Sequence, residues 1–134
     1  MAEDDSFAVK VTQILAQSGW SNNSPWSLIE QWQSFIDQCK RGYRDNIYEY
    51  YNDIFIRKKI EIILSSSVIL KEYEEFKDFL DKVKLFDEEF SALLQEDVKL
   101  PGYSHWWEQG VLQYAGEELA KDYYNDYKIK IRVV

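Results

Sequence analysis

The chain has 134 residues, a length suited to one domain with a single core. Lys and Arg number 16 against 24 Asp and Glu, so the formal net charge is -8. Because nucleic acids and anionic membranes both attract a surplus of Lys and Arg, neither is an expected partner. Apolar residues make up 46% of the chain, enough for a packed core, and aromatic residues make up 16%.

The single Cys and the single His limit the chemistry of the chain. Cys39 has no second thiol with which to form an intramolecular disulfide or a multi-thiolate metal site. His105 has no second histidine with which to form a multi-histidine metal site. No cofactor and no metal are therefore expected. The first residues lack the basic and apolar segments of a signal peptide, and no apolar run reaches the roughly 18 residues that span a bilayer, so we expect a cytoplasmic protein.

Two helices are predicted in the first third of the chain. Apolar residues at helical spacing predict the first over residues 5–18. The second begins at Ser24, an N-cap residue followed by Pro25 at the first helical position, and ends at Gly42. Cys39 lies on the apolar stripe of this second helix, where we expect a buried thiol rather than a reactive one.

A central helix is predicted over residues 45–65. Its apolar residues surround the helical wheel, which is typical of a helix that other elements pack around. Glu49, Asp53 and Arg57 form a row at i, i+4 and i+8. The row favours a structural ion pair between Arg57 and Asp53 over a catalytic pair of carboxylates.

A fourth, amphipathic helix is predicted over residues 68–95, with a possible break at 84–87 because Leu85 lies off the apolar stripe. Residues 96–104 form the next loop, which contains a turn at Pro101 and Gly102. A fifth helix is predicted over residues 105–124, although two glycines within it lower its stability.

The tail over residues 126–134 alternates apolar and basic side chains, a pattern typical of a half-buried strand. No partner strand is evident in the sequence, so pairing with another chain is one interpretation. Together, the elements predict an all-α fold: one helical domain over residues 1–134, built as a bundle of about five helices with a short β-like tail.

Acidic residues concentrate in the fourth helix and the loop after it. Residues 68–108 contain eleven Asp and Glu and five Lys. An acidic helix face attracts a basic partner over a distance. The candidate partner-binding carboxylates are Glu74, Asp78, Asp81 and Glu88.

Aromatic residues beside acidic ones supply the second binding signal. Large aromatics rimmed by carboxylates are typical anchors of protein interfaces, although they also fill the ends of small bundles. Trp106 and Trp107 point about 100° apart on a helix, so both cannot face one core. The candidate anchors are Trp26, Trp106, Trp107, Tyr123 and Tyr124.

These signals favour a non-catalytic, cytoplasmic module that binds a basic protein. Its most concrete form is an inhibitor or immunity protein that neutralises a basic toxin such as a nuclease, because an acidic face can replace phosphates in a cationic groove. One alternative is a structural or assembly protein that forms a homodimer through the tail.

A second alternative is a small-molecule enzyme. His105 and Glu108 are spaced i, i+3, which places them on one side of a helix where they could act as an acid and a base. The other interpretation is that His105 begins a helix within an aromatic turn. The sequence contains none of the glycine-rich or nucleophile motifs of common nucleotide-binding and acyl-transfer enzymes.

Overall fold

The computed structural model describes residues 7–20 and 24–134. These residues form two compact units: unit 1 contains residues 7–20, 24–33 and Ile56–Phe86, and unit 2 contains Ser34–Phe55 and Asp87–Val134. The helices are α1 (Phe7–Gln17), α2 (Pro25–Lys40), α3 (Ile47–Ile54), α4 (Ile56–Leu64), α5 (Ser67–Leu70), α6 (Glu74–Ser91), α7 (Trp106–Gln109) and α8 (Glu117–Tyr127). The strands are β1 (Tyr114–Ala115) and β2 (Arg132–Val133).

The predicted helical fold class is confirmed, while the arrangement as one domain over residues 1–134 stays a prediction. Eight helices are present in the described ranges rather than five, because three of the predicted helices are each divided in two. Within the same ranges, every helix is too short or too polar to traverse a lipid bilayer.

The predicted capping of α2 is confirmed. The backbone N–H of Ser27 donates to the Ser24 side-chain oxygen at 3.1 Å, which satisfies one of the unpaired donors of the first turn. The chain leaves α2 at Gly42, whose φ of +94° is a left-handed conformation that glycine adopts without strain. The predicted start of the first helix at residues 5 and 6 lies outside the described residues.

Unit 1 is organised around the ring of Phe7 at the start of α1. Phe7 is buried, and its ring centroid lies 5.7 to 6.3 Å from four other rings, those of Trp26, Tyr73, Phe76 and Phe79. Such tilted and edge-on pairs add to the stabilisation from burial. α1 also packs along α4 in this unit.

The predicted central helix is divided at Phe55, which ends α3 and is 40% exposed. The prediction that this helix is buried on all sides is wrong, because α3 and α4 each bury one face and Tyr48 is 82% exposed. Arg57, which was expected to pair with Asp53, donates from Nη1 to Glu61 Oε1 at 3.0 Å.

The predicted fourth helix breaks at a different place. α5 ends at Leu70, and the chain turns through Tyr73, whose backbone N–H donates to the Leu70 carbonyl at 3.0 Å, into α6. The possible break at residues 84–87 is wrong, because α6 continues through it with Leu85 52% exposed on the surface.

The prediction of one helix over residues 105–124 is wrong between Gly110 and Gly116, where the chain is extended and includes β1. The Gly116 N–H donates to the Tyr43 carbonyl at 2.8 Å, and a Cβ on Gly116 would lie 2.8 Å from the same oxygen. This close approach of two backbones requires glycine and holds Gly116 in an extended conformation at the N-cap of α8, so α7 and α8 are separate helices.

The C-terminal tail pairs within the chain. α8 extends to Tyr127, so the first residues of the predicted extended tail, 126–134, are helical, and Lys128 ends the helix in a left-handed conformation. β2 then pairs in parallel with β1, which sets Tyr114 opposite Arg132 and Ala115 opposite Val133. A homodimer through the tail stays a prediction.

Candidate functional site

A groove lies in unit 1 between α5 and the first half of α6, and we call it the α5–α6 groove. It has a volume of about 850 Å³ and is open to solvent. Its apolar lining consists of Val68, Tyr73, Phe76 and Leu80. Its polar lining consists of Ser67, Lys71, Glu72, Glu74, Lys77 and Asp78.

The turn between α5 and α6 creates this groove. α5 is held by the Leu70 N–H, which donates to the Ser66 carbonyl at 3.0 Å, and by the Leu70 side chain, which is fully buried. In an unbroken helix, residues 68 and 80 would lie about 18 Å apart along the axis. Because the chain turns instead, Val68 and Leu80 line the same groove.

The floor of the groove is fixed by the core of unit 1. Phe76 is only 4% exposed, and its ring lies 6.0 Å from that of Phe7. Tyr73 also packs on Phe7, with the ring centroids 6.3 Å apart. The apolar floor is therefore preformed, which lowers the conformational cost of binding.

Exposed aliphatic side chains form part of the groove wall. Val68 is 78% exposed and Leu80 is 38% exposed. Transfer of such surface out of water is favourable, so both side chains are available to stabilise a complex. Ile69 is 49% exposed but does not line the groove, which makes it a matched control.

The carboxylates of the groove are not engaged elsewhere. Glu72, Glu74 and Asp78 are exposed, and within residues 7–20 and 24–134 they make no side-chain hydrogen bond or ion pair. Two cations, Lys71 and Lys77, share the lining, which leaves the groove with an excess of one negative charge. Free carboxylates beside apolar surface suit a ligand that is both apolar and basic.

The four predicted carboxylates are all exposed but do not share one site. Glu74 and Asp78 line the α5–α6 groove. Asp81 lies further along α6 in unit 1, outside the groove lining. Glu88 lies on the part of α6 that belongs to unit 2.

The five predicted aromatic anchors differ in exposure. Trp106 and Tyr124 are 37% and 46% exposed in unit 2, and Trp26 is partly exposed in the aromatic core of unit 1. Trp107 and Tyr123 were expected to be surface anchors, but both are buried packing residues of unit 2, because tertiary contacts enclose them.

Tyr123 belongs to a tyrosine cluster in unit 2. Its hydroxyl lies 2.9 Å from that of Tyr51, which donates to the main-chain oxygen of Glu108 at 3.3 Å. Tyr51 also stacks on Tyr103, with ring centroids 5.1 Å apart. Burial raises the pKa of the Tyr51 and Tyr123 hydroxyls well above the usual value, so both remain protonated at neutral pH.

A second group of polar atoms is buried on the α2 side of α3. Tyr43 donates to Asp53 Oδ2 at 2.6 Å, whereas the fully buried Tyr50 hydroxyl has no hydrogen-bond partner in the described part of the chain. Cys39 is 1% exposed, so the prediction of a buried cysteine is confirmed, and burial raises the pKa of its thiol.

His105 and Glu108 lie in the first turn of α7, with His105 at its N-cap position. The His105 ring stacks on Trp107, with the centroids 4.4 Å apart and the planes at 6°. This is the aromatic turn expected if His105 begins the helix. Among the described residues, no group of three His, Cys, Asp or Glu side chains could hold a metal ion. An acid–base role for the pair stays a prediction.

Sequence reasoning missed Val68 and Leu80 as functional candidates. Both residues lie within the predicted fourth helix, Val68 at its start, and the apolar residues of an amphipathic helix are expected to pack in the core. The Ser65–Ser67 run signals the break before α5, because clustered serines favour a turn over a helix interior, but residues 71–73, which form the turn between α5 and α6, contain no Gly or Pro to signal it.

Comparisons with known proteins assign this chain to no family. No protein-family model, curated protein or solved structure matches it. The geometry and charge of the α5–α6 groove are therefore the basis on which a function can be proposed.

Proposed function

We propose that the protein is a non-catalytic binding module that recognises a basic protein through the α5–α6 groove. The observation that supports this most strongly is the combination of a preformed apolar floor with three carboxylates that have no partner in the described residues. The apolar floor supplies affinity, because it removes nonpolar surface of the partner from water. The carboxylates supply orientation and rate of encounter, because they attract Lys and Arg.

The acidic surface continues beyond the groove. Glu75 and Asp81 are exposed on α6 next to groove-lining positions, and neither forms an ion pair within the described ranges. Lys82 is also exposed beside Asp81, so these three residues add one net negative charge next to the groove. This favours a basic partner over a neutral or an acidic one.

The most concrete form of the proposal is an inhibitor or immunity protein that neutralises a cationic toxin such as a nuclease. The cleft of such a toxin binds phosphates with Lys and Arg, and carboxylates can occupy it instead. A cytoplasmic location belongs to this proposal, because the partner would act on intracellular nucleic acid. Addition of the protein in equal amount should then stop the activity of the partner.

Affinity capture from the native cells tests the proposal. The tagged chain is compared with the Glu74→Lys, Asp78→Lys variant and with a control, Glu117→Lys, Asp126→Lys, which makes the same change of net charge on exposed positions of α8. Each pair includes one glutamate from the first turn of a helix, so the loss of a favourable interaction with the helix dipole is matched between Glu74→Lys and Glu117→Lys.

The proposal predicts that one basic protein is captured at low salt by the wild-type chain and by the control. The groove variant should lose that protein, which mass spectrometry identifies. Equal capture by all three chains, or capture of no basic protein by any of them, would contradict the proposal.

A further inference from the structure

We propose that the occupant of the α5–α6 groove is an amphipathic helix of the basic partner. This inference rests on the proposed function and specifies the structure that the groove recognises. It follows from three properties of the groove: the secondary structure of its walls, the spacing of its lining residues and the placement of its charges.

The walls of the groove contain no strand. Both strands of the described structure, β1 and β2, belong to unit 2, whereas the groove is bounded by α5, α6 and the turn between them. Extended peptides gain affinity from main-chain hydrogen bonds to an open sheet edge, which this groove does not offer. A helix satisfies its backbone donors and acceptors internally, so it loses no affinity through the absence of a sheet edge.

The spacing of the lining residues fits the same conclusion. Tyr73, Phe76, Lys77 and Leu80 contribute to the groove at i, i+3, i+4 and i+7 in and just before α6, about 10 Å of helix length. A partner helix with apolar residues at the same spacing presents about two turns of apolar surface to such a groove. Val68 closes the opposite side from α5.

The charges determine which amphipathic helices fit. Glu74 and Asp78 lie one helical turn apart on α6, and Glu72 lies just before α6, in the connection from α5. Lysines or arginines that flank the apolar stripe of a docked helix would therefore reach these carboxylates. An acidic amphipathic helix would meet repulsion at these three carboxylates, which outnumber the two lysines of the lining, Lys71 and Lys77. The groove therefore favours a helix with a basic polar face.

Two labelled peptides of about 18 residues test this inference with the full-length chain. The first contains Leu and Lys arranged so that all leucines share one helical face, and the second has the same composition in a scrambled order. Fluorescence anisotropy gives the affinities, and circular dichroism gives the helix content. We expect the amphipathic peptide to bind at least about tenfold more tightly than the scrambled one and to become helical on binding.

A matched pair of variants locates the binding. Val68→Glu and Ile69→Glu replace adjacent, exposed aliphatic residues of α5, of which only Val68 lines the groove. Because both positions are exposed, both chains should fold, which their thermal unfolding checks. Val68→Glu should weaken binding of the amphipathic peptide by about tenfold or more, and Ile69→Glu by less than about twofold.

Equal affinity for the two peptides, or equal effects of the two substitutions, would overturn helix docking. The capture experiment separates this failure from failure of the proposed function. If Val68→Glu leaves capture of the basic protein unchanged while Glu74→Lys, Asp78→Lys abolishes it, helix docking fails and the proposed function stands. Unchanged capture by the charge-reversed chain would overturn the proposed function itself.

Discussion

The hydroxyl of Tyr43 donates a hydrogen bond of 2.6 Å to Oδ2 of Asp53. Tyr43 lies in the connection between α2 and α3 and is 1% exposed, while Asp53 lies on α3. The main-chain oxygen of Tyr43 also accepts from the N–H of Gly116 at the start of α8. One residue thus ties three segments of unit 2 together, by its side chain to α3 and by its backbone to α8.

Tyr43→Phe should destabilise the protein. The substitution removes the donor and leaves a partly buried carboxylate without this partner, which costs about 1 to 3 kcal/mol. Urea unfolding measures the change, with Tyr48→Phe as the control, because the Tyr48 side chain is 82% exposed. A free energy of unfolding unchanged by Tyr43→Phe would show that the hydrogen bond contributes nothing net.

Tyr50→Phe should instead stabilise the protein. The Tyr50 hydroxyl is fully buried and has no hydrogen-bond partner in the described residues, so its desolvation in the folded state is uncompensated. Its removal should raise the free energy of unfolding by about 1 kcal/mol. A loss of stability of the same size, in the same urea titration, would show that the hydroxyl is satisfied in solution.

Gly116→Ala should destabilise the protein more than Gly110→Ala. A Cβ on Gly116 would lie 2.8 Å from a backbone oxygen, that of Tyr43, which cannot move without shifting the chain. The nearest atoms to a Cβ on Gly110 would be Cγ and both Cδ atoms of the Leu94 side chain, which can move by changing rotamer without a shift of the backbone. We expect a loss of about 1 to 3 kcal/mol for Gly116→Ala in thermal or urea unfolding. Equal losses for the two variants would contradict this explanation.

The stability of the protein should fall above about pH 10. The hydroxyls of Tyr51 and Tyr123 have an ordinary pKa of 10.0, and burial in the folded state raises it. A hydrogen bond with Tyr103, together with burial, raises the pKa of Tyr127 to about 12. The folded state therefore keeps protons that the unfolded state loses, so this contribution is fully present below about pH 10 and is lost as pH rises.

Urea unfolding at a series of pH values checks this expectation. The free energy of unfolding should decrease between about pH 10 and pH 12, and Tyr127→Phe should make the decrease shallower by removing one titrating group. A free energy that does not change over this interval would contradict the raised pKa values.

Local signals predicted the parts of the fold that depend on local chemistry. Ser24 as an N-cap and Gly42 as the end of α2 were correct, because capping and left-handed turns are decided by the residues themselves. The alternation in the tail predicted a strand, and β2 lies within that tail at Arg132–Val133. Its partner β1 was missed, since two residues are too few to show a period.

The candidate site was only partly predictable. Glu74 and Asp78 were identified because charge is visible in a sequence, whereas the groove beside them depends on the turn that ends α5 at Leu70. Trp107 and Tyr123 were indistinguishable from surface anchors, because their burial comes from elements distant in sequence. Tertiary contacts of this kind override local patterns.

The association rate of the captured basic partner with this protein tests the central claim most directly. Stopped-flow fluorescence measures the rate constant as salt is raised from about 20 mM to about 500 mM, for the wild-type chain and for Glu74→Lys, Asp78→Lys. We expect a fall of at least about tenfold for the wild-type chain, and a slower rate with a weaker salt dependence for the variant. A rate constant that is independent of salt, or identical in the two chains, would contradict recognition of a basic partner by the α5–α6 groove.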